Sequence, residues 1–304
     1  MITLEGILPV IKPVDFTSHD VVAKVRGILG IRRIGHTGTL DPKVTGVLPL
    51  CIGRATRVVE YIQDLPKQYE ADLTIGLATD TEDMTGNVIE RVEHVKLSVL
   101  EIEQVFAKFL GVIDQVPPMY SAIKVEGQRL YDLARQGQVI ERKSRKVEIY
   151  ELEIRSINLE LAHPQIKFRV KCSKGTYIRT LCVDIGLALG YPAVMSELIR
   201  TATGPILLAD CITLEELSDL AKRGTVASRM IPTDAAITHL PSCHVSELEA
   251  LHAMQGKTIY TALLLDKTYS DQEMVRLYSP DERFLGIFRW HTAHLSFTPE
   301  KVFN

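Results

Sequence analysis

The chain has 304 residues, 46% hydrophobic and 24% charged, with a formal net charge of −3, enough for one large domain or a large one with a small companion. No apolar run nears the roughly 18–20 residues that cross a bilayer, and the N-terminus lacks the basic-then-apolar layout of a secretory signal, so a cytoplasmic protein is expected. Five scattered cysteines without a C-x-x-C pair argue against a disulfide framework and a structural zinc site, and read as buried reduced thiols.

In chain order, Thr17 and Ser18 are N-cap residues for a helix with Val21, Val22, Val25, Ile28 and Leu29 on one face, stopped by Gly30. A polar, glycine-punctuated loop follows, Gly35-His36-Thr37-Gly38-Thr39-Leu40-Asp41-Pro42, and then an apolar run at 47–52 that reads as a buried strand. Residues 69–76 and 167–172 alternate as half-buried strands do, and 97–110 and 180–189 read as helices, the second ended by Gly190. Strands and helices mixed without strict alternation predict an α+β fold. Near Leu240-Pro241 the pattern changes to short apolar stretches at 259–265, 274–278 and 284–288, separated by turn residues. The division expected is a domain over 1–240 and a small β-rich module over 241–304.

The acidic total hides an uneven distribution. Seven basic residues from Lys124 to Lys146 face three acids, a net of +4, and Lys167, Arg169, Lys171, Lys174 and Arg179 meet no acid before Asp184. Phosphate contacts are expected on part of the first 200 residues, although a solvated face is the commoner meaning of such runs.

The Asp41 loop carries the chemistry. Pro42 disfavours helical geometry at Asp41, which puts the carboxylate on an extended or turn backbone. The run G-H-T-G-T-L-D-P with Gly46 resembles the catalytic loop of the TruB family of bacterial tRNA pseudouridine synthases. Further motifs follow in family order: Gly6-Ile7-Leu8 with Lys12-Pro13 and Thr17-Ser18; Lys67-Gln68-Tyr69-Glu70-Ala71; Thr79-Asp80-Thr81 with Gly86; Gln115 to Lys124 running on to Ala134-Arg135; Lys174-Gly175-Thr176-Tyr177-Ile178-Arg179; and Leu198 to Gly204. The departures are local: Lys43-Val44-Thr45 after Asp-Pro, Ile11 before Lys-Pro, and Ile199 after the leucine.

The resemblance implies a mixed, largely antiparallel central sheet flanked by helices, an RNA-gripping insertion at about 119–146, and a C-terminal module similar to a PUA domain. It implies isomerisation of uridine 55 in the tRNA T loop, without cofactor or metal, by a monomer needing no protein partner and no membrane. Asp41 is then the catalytic carboxylate, nucleophile or base, and Arg179 its counter-cation, sharing one face of an extended stretch with Tyr177. Tyr69 stacks on the base and takes the carbon-5 proton. Tyr177 and Leu198 line the pocket, His36 helps flip the base, Lys12 supports the loop, and Lys124, Arg129 and Arg135 grip phosphates.

Other readings fit less well. Ser121-Ala122-Ile123-Lys124 matches the S-x-x-K of penicillin-binding hydrolases, but S-D-N and K-T-G are missing. Gln255-Gly256-Lys257-Thr258 lacks the opening glycine of a phosphate loop, since position 251 is Leu. An RNA-binding or tRNA-folding protein without catalysis is the rival from another class; it has no need of Asp41, Tyr69 and Arg179 together.

Overall fold

The computed structural model describes residues 4–121, 123–125, 127–138, 140–260 and 269–303. Its centre is a nine-stranded sheet in the order Gly6–Lys12, Thr45–Ile52, Ala193–Thr203, Lys67–Ile75, Gln165–Cys172, Arg145–Asn158 and Gly111–Gln115. Ile34–His36 adds to Thr45–Ile52, and Ile206–Leu207 to Ala193–Thr203. Among the described residues of this sheet one pairing is parallel: Ala193–Thr203 beside Thr45–Ile52, with Ile199 opposite Thr45 and Arg200 opposite Gly46. The sheet is mixed and largely antiparallel, as expected for this α+β chain.

Alternation explains the middle strands. Ala71, Leu73 and Ile75 share a buried face with Ile166, Phe168, Val170 and Cys172 of the neighbouring strand. Helices Val99–Ala107 and Ile178–Ala188 cover that face, and Phe106 meets Phe168 edge-on at 5.5 Å between ring centres. Each such side chain withdrawn from water contributes about 1.5–3 kcal/mol. Helix Ser18–Leu29 packs Val21, Val22 and Val25 against Leu8, Val10, Leu48 and Leu50. Thr17 and Asp20 form a capping box at its start, and Gly30, at φ 67°, closes it.

The predicted elements shift in places. The helix expected at 97–110 runs Val99–Ala107, since Ser98 and Glu101 form a capping box. The one expected at 180–189 begins at Ile178. Two long strands were absent from the sequence reading. Arg145–Asn158 has register shifts after Ile149 and Ile154, and Ala193–Thr203 after Met195 and Arg200. Each shift breaks the two-residue period by which a strand is recognised.

A five-stranded sheet follows in the order Ser242–His244, Met274–Tyr278, Phe284–His291, Ser296–Val302 and Ile259–Tyr260, with helix Glu247–Met254 beside it. The strand expected at 274–278 is met; that at 284–288 extends to His291. Of the stretch 259–265 only Ile259–Tyr260 falls within the described residues. Arg276 joins the two sheets through Leu240 O (2.9 Å) and Asp234 O (3.2 Å), and the Tyr278 hydroxyl donates to Asp234 at 2.9 Å. All five cysteines are free and buried. Among the described residues no helix is long and apolar enough to cross a membrane.

Candidate active site

The Asp41 loop leaves the short strand Ile34–His36 and returns as Thr45–Ile52. Its backbone is held from several sides. Thr37 N and Oγ1 donate to Pro49 O (3.2 and 3.3 Å), Leu40 N to Ser18 Oγ (3.0 Å), and Asp15 N to Pro42 O (2.8 Å). Lys12, fully buried, donates through Nζ to Pro42 O at 3.0 Å, Phe16 O at 2.6 Å and Pro13 O at 2.7 Å. Burial pulls its ammonium down to about 8, with Asp41 and Asp15 pulling the other way. At the loop's end Gly46 has φ 114°, and a Cβ there would lie 2.2 Å from Arg200 O. Only glycine lets the parallel seam close at that point.

Asp41 meets Arg179 inside a cavity of about 790 Å³, within the size range of small-molecule sites. Arg179 Nε lies 3.0 Å from Asp41 Oδ2. The rest of the guanidinium is committed: Nη1 donates to Thr81 O (2.9 Å) and sits 3.9 Å from Asp83 Oδ2, and Nη2 donates to Tyr120 O (2.8 Å). The Arg179 side chain is 5% exposed and that of Asp41 42%, so the carboxylate faces the cavity mouth while its cation sits behind it. Crowding by protein on the remaining sides raises the Asp41 carboxyl above the usual range; Arg179 opposes that rise and Asp83 adds to it. Tyr120, Tyr131, Leu198 and Ile199 give the cavity its apolar lining.

Tyr69 sits on the strand Lys67–Ile75, across from Arg200 on one side and Val170 on the other. Half-buried, it packs against the core with Asp41 close enough to act on its phenol. Burial raises its phenol, and the charge of the nearby Arg200 works against the rise. Tyr177 and Arg179 do not share an extended stretch. Tyr177 is the N-cap of helix Ile178–Ala188, and Arg179 lies in its first turn. That start gives no sequence signal, because Tyr177 has no side-chain cap; instead Gln115 accepts from Tyr177 N (2.8 Å) and donates to Tyr177 O (3.0 Å). The Tyr177 phenol is raised by burial, against the Ser121 hydroxyl and Arg179.

His36 ends the strand Ile34–His36, edge-on to His19 with ring centres 5.1 Å apart, and its Nδ1 accepts from Gly38 N at 3.3 Å. Burial, His19 and Arg200 lower its pKa, which keeps the ring neutral near pH 7. Lys124 and Arg129 lie on a two-stranded hairpin and Arg135 ends helix Leu130–Arg135; their side chains lie outside the described residues.

The sequence reading missed two charged groups at the site. Asp83 lines the cavity, its Oδ1 accepting from Thr81 Oγ1 (2.8 Å) and Thr85 N (2.9 Å). Arg200, 1% exposed, donates through Nε to Val47 O (2.7 Å) and through Nη2 to Gly38 O (3.3 Å). The second basic run forms a ladder of surface ion pairs, the solvated face that is the commoner meaning of such runs. Lys167 pairs with Asp72, Arg169 with Glu153, Lys171 with Glu151 and Lys174 with Asp64. Among the described residues no group of three or more His, Cys, Asp or Glu could hold a metal ion.

The sequence model of the TruB family pseudouridylate synthase N-terminal domain matches residues 26–178, and that of the tRNA pseudouridylate synthase B C-terminal domain matches 179–238. The chain belongs to the TruB family. A tRNA pseudouridine synthase B of Geobacillus thermodenitrificans is 46% identical over 99% of this chain and 100% of its own length. Its counterpart in Bacillus pumilus is 43% identical over 99% of this chain and 98% of its own. Among solved structures, a chain from the crystal structure of a Cbf5-Nop10-Gar1 complex superposes with a TM-score of 0.76 at 30% identity, covering 98% of this chain and 85% of that one. This TruB-family chain is a tRNA pseudouridine synthase, an RNA-binding isomerase of tRNA processing. The ordered motifs of the sequence reading pointed to that family.

Proposed function

We propose that this enzyme isomerises uridine 55 in the T loop of tRNA to pseudouridine, with Asp41 as the catalytic carboxylate. The observation that carries the reading is the 3.0 Å pair of Asp41 with a nearly buried Arg179 in the cavity wall. Crowding raises the Asp41 carboxyl, the fixed cation beside it favours the ionised form, and the Thr81 and Tyr120 carbonyls hold Arg179 in place.

In this reading the reaction breaks the bond from ribose to the base nitrogen, turns the base, and rejoins it through carbon 5. Asp41 serves as nucleophile or base, and Tyr69 takes the carbon-5 proton. Leu198 closes the floor of the pocket and Tyr177 lines its other side. His36, neutral and planar, takes the space of the base once it has flipped, recovering part of the few kcal/mol that unstacking costs. Lys12 braces the loop through Pro42 O. The insertion at about 119–146, with Lys124, Arg129 and Arg135, grips phosphates. The module over 241–304 is a PUA-like RNA-binding domain beside a catalytic domain over 1–240. The enzyme acts in the cytoplasm, as a monomer needing no protein partner, on the T arm of tRNA.

Tritium release tests the central claim. Unmodified tRNA labelled at uridine carbon 5 is incubated with the protein or with Asp41→Asn, with no cofactor added. Release by the wild type alone, mapped to uridine 55, is the expected result. Equal release by both removes Asp41 from its role. Tight binding with no release from either supports the RNA-binding rival.

A further inference from the structure

Beneath the cavity lies a second buried arginine that the catalytic reading leaves unused. Arg200 is fully enclosed in the strand Ala193–Thr203, and its guanidinium fans out to two separate pieces of the site. Nε donates to Val47 O, just after the Asp41 loop, and Nη2 to Gly38 O, just before Asp41. On the adjacent strand it stands directly across from Tyr69, so the two side chains lie on the same face of the sheet. The backbone at Gly38 and Gly46 is shaped around it. An added Cβ at Gly38 would meet Arg200 Nη1 at 3.6 Å, and one at Gly46 would strike the Arg200 carbonyl at 2.2 Å. A buried guanidinium is costly to desolvate unless its donors are used, and here two backbone carbonyls use them.

We propose that Arg200 is a positioning residue for proton removal: bonded to the backbone on both sides of Asp41 and set across from Tyr69, it holds the tyrosine strand against the Asp41 loop and places a positive charge beside it. The inference rests on the reading that Tyr69 takes the carbon-5 proton. In that step the phenolate oxygen gains the proton and becomes phenol, its own proton having left to solvent before the pocket closes. The electron pair of the carbon–hydrogen bond then restores the carbon 5–carbon 6 double bond of uracil, while the π pair of the carbon 6–nitrogen 1 double bond moves onto nitrogen 1, already released from ribose, which takes a proton from water. Among the described residues, three charged or titratable groups act on Tyr69. Arg200 comes from the strand on one side, Cys172 from the strand on the other, and Asp41 from the loop. Burial pushes the Cys172 thiol up to about 11, so it stays neutral, and the Asp41 anion opposes a second negative charge. Arg200 is the group of the three that favours the phenolate.

The experiment compares single-turnover rates on tRNA carrying protium or deuterium at uridine carbon 5, using wild type, Arg200→Lys, Arg200→Gln and Tyr69→Phe. The ratio of the two rates is taken within one preparation, so it does not depend on how much of a variant is folded. Arg200→Lys keeps a cation in the core if Arg200→Gln does not fold. Arg200 variants are expected to lose about 100-fold in rate, the scale of a general-base contribution. Their isotope ratio should rise above that of the wild type, because proton removal becomes the slow step, with tRNA affinity unchanged. A slower Arg200→Lys with the wild-type isotope ratio would reduce Arg200 to a structural residue and overturn the proposal. Wild-type rate and isotope ratio in Tyr69→Phe would instead sink the base role of Tyr69, a separate outcome read from a separate protein.

Discussion

Two regions of this molecule use the same chemistry, a cation against a carboxylate, to opposite ends. On the outer face of the central sheet, Lys167, Arg169, Lys171 and Lys174 each pair with an acid from a neighbouring strand or turn, largely in contact with water. Water and salt screen such pairs, and each contributes about 0–1 kcal/mol. At the cavity, Arg179 is almost completely enclosed and three of its nitrogens are committed. There the field is not screened, and the pair holds one charge state of Asp41 ready for chemistry. A run of basic letters does not tell the two apart; burial on the cation side does.

The largest expected effect tests the enclosed pair directly. Asp41→Asn should lower tritium release by roughly 10⁴-fold or more, the scale on which removing a catalytic nucleophile acts. Retained activity within tenfold would break the contrast. Next comes Arg179→Met. Burial already raises the Asp41 carboxyl and Arg179 opposes that, so removing the cation raises it further. In the proposed role the ionised form is the active one, so the acid limb of the pH–rate profile should move to higher pH, and a profile left in place would refute the assignment. The same variant leaves Thr81 O and Tyr120 O without their donor, at about 1–3 kcal/mol each, readable by denaturant titration. Lys12→Met should cost less rate than either, about tenfold to 100-fold, because it loosens the loop through Pro42 O without touching the reacting groups. The smallest effect belongs to the ladder. Arg169→Ala and Lys171→Ala should change stability by less than about 1 kcal/mol and leave tRNA affinity and turnover alone. A clear loss of tRNA affinity in either would make that face an RNA surface after all.

Much of the catalytic loop was legible in the sequence because its constraints are local. Pro42 fixes the backbone at Asp41, Thr17 and Asp20 cap the first helix, and Gly30 ends it. Arg179 was legible as a partner for Asp41 but not in its setting: the helix it belongs to starts at Tyr177 without a side-chain cap, so the stretch read as extended. Arg200 was not legible at all. An arginine in an irregular apolar stretch reads as a surface residue, and only the register Arg200 opposite Tyr69 and Gly46 reveals its partners. Register shifts hid the strand that carries it. Asp83 sat unnoticed beside the Thr79-Asp80-Thr81 motif, because its proximity to Arg179 arises from residues far apart in the chain.

The parallel seam between Thr45–Ile52 and Ala193–Thr203 has a consequence for biosynthesis. The bond from Arg200 Nε to Val47 O joins residues 153 apart in sequence. Closing so long a loop is entropically slow, and nothing local rewards it beforehand. A nascent chain still short of Thr203 has its Asp41 loop, its Tyr69 strand and its Arg179 helix, yet no wall on which to assemble them. Competence for catalysis should therefore switch on abruptly during synthesis, once the Ala193–Thr203 strand has slotted between two strands made long before it.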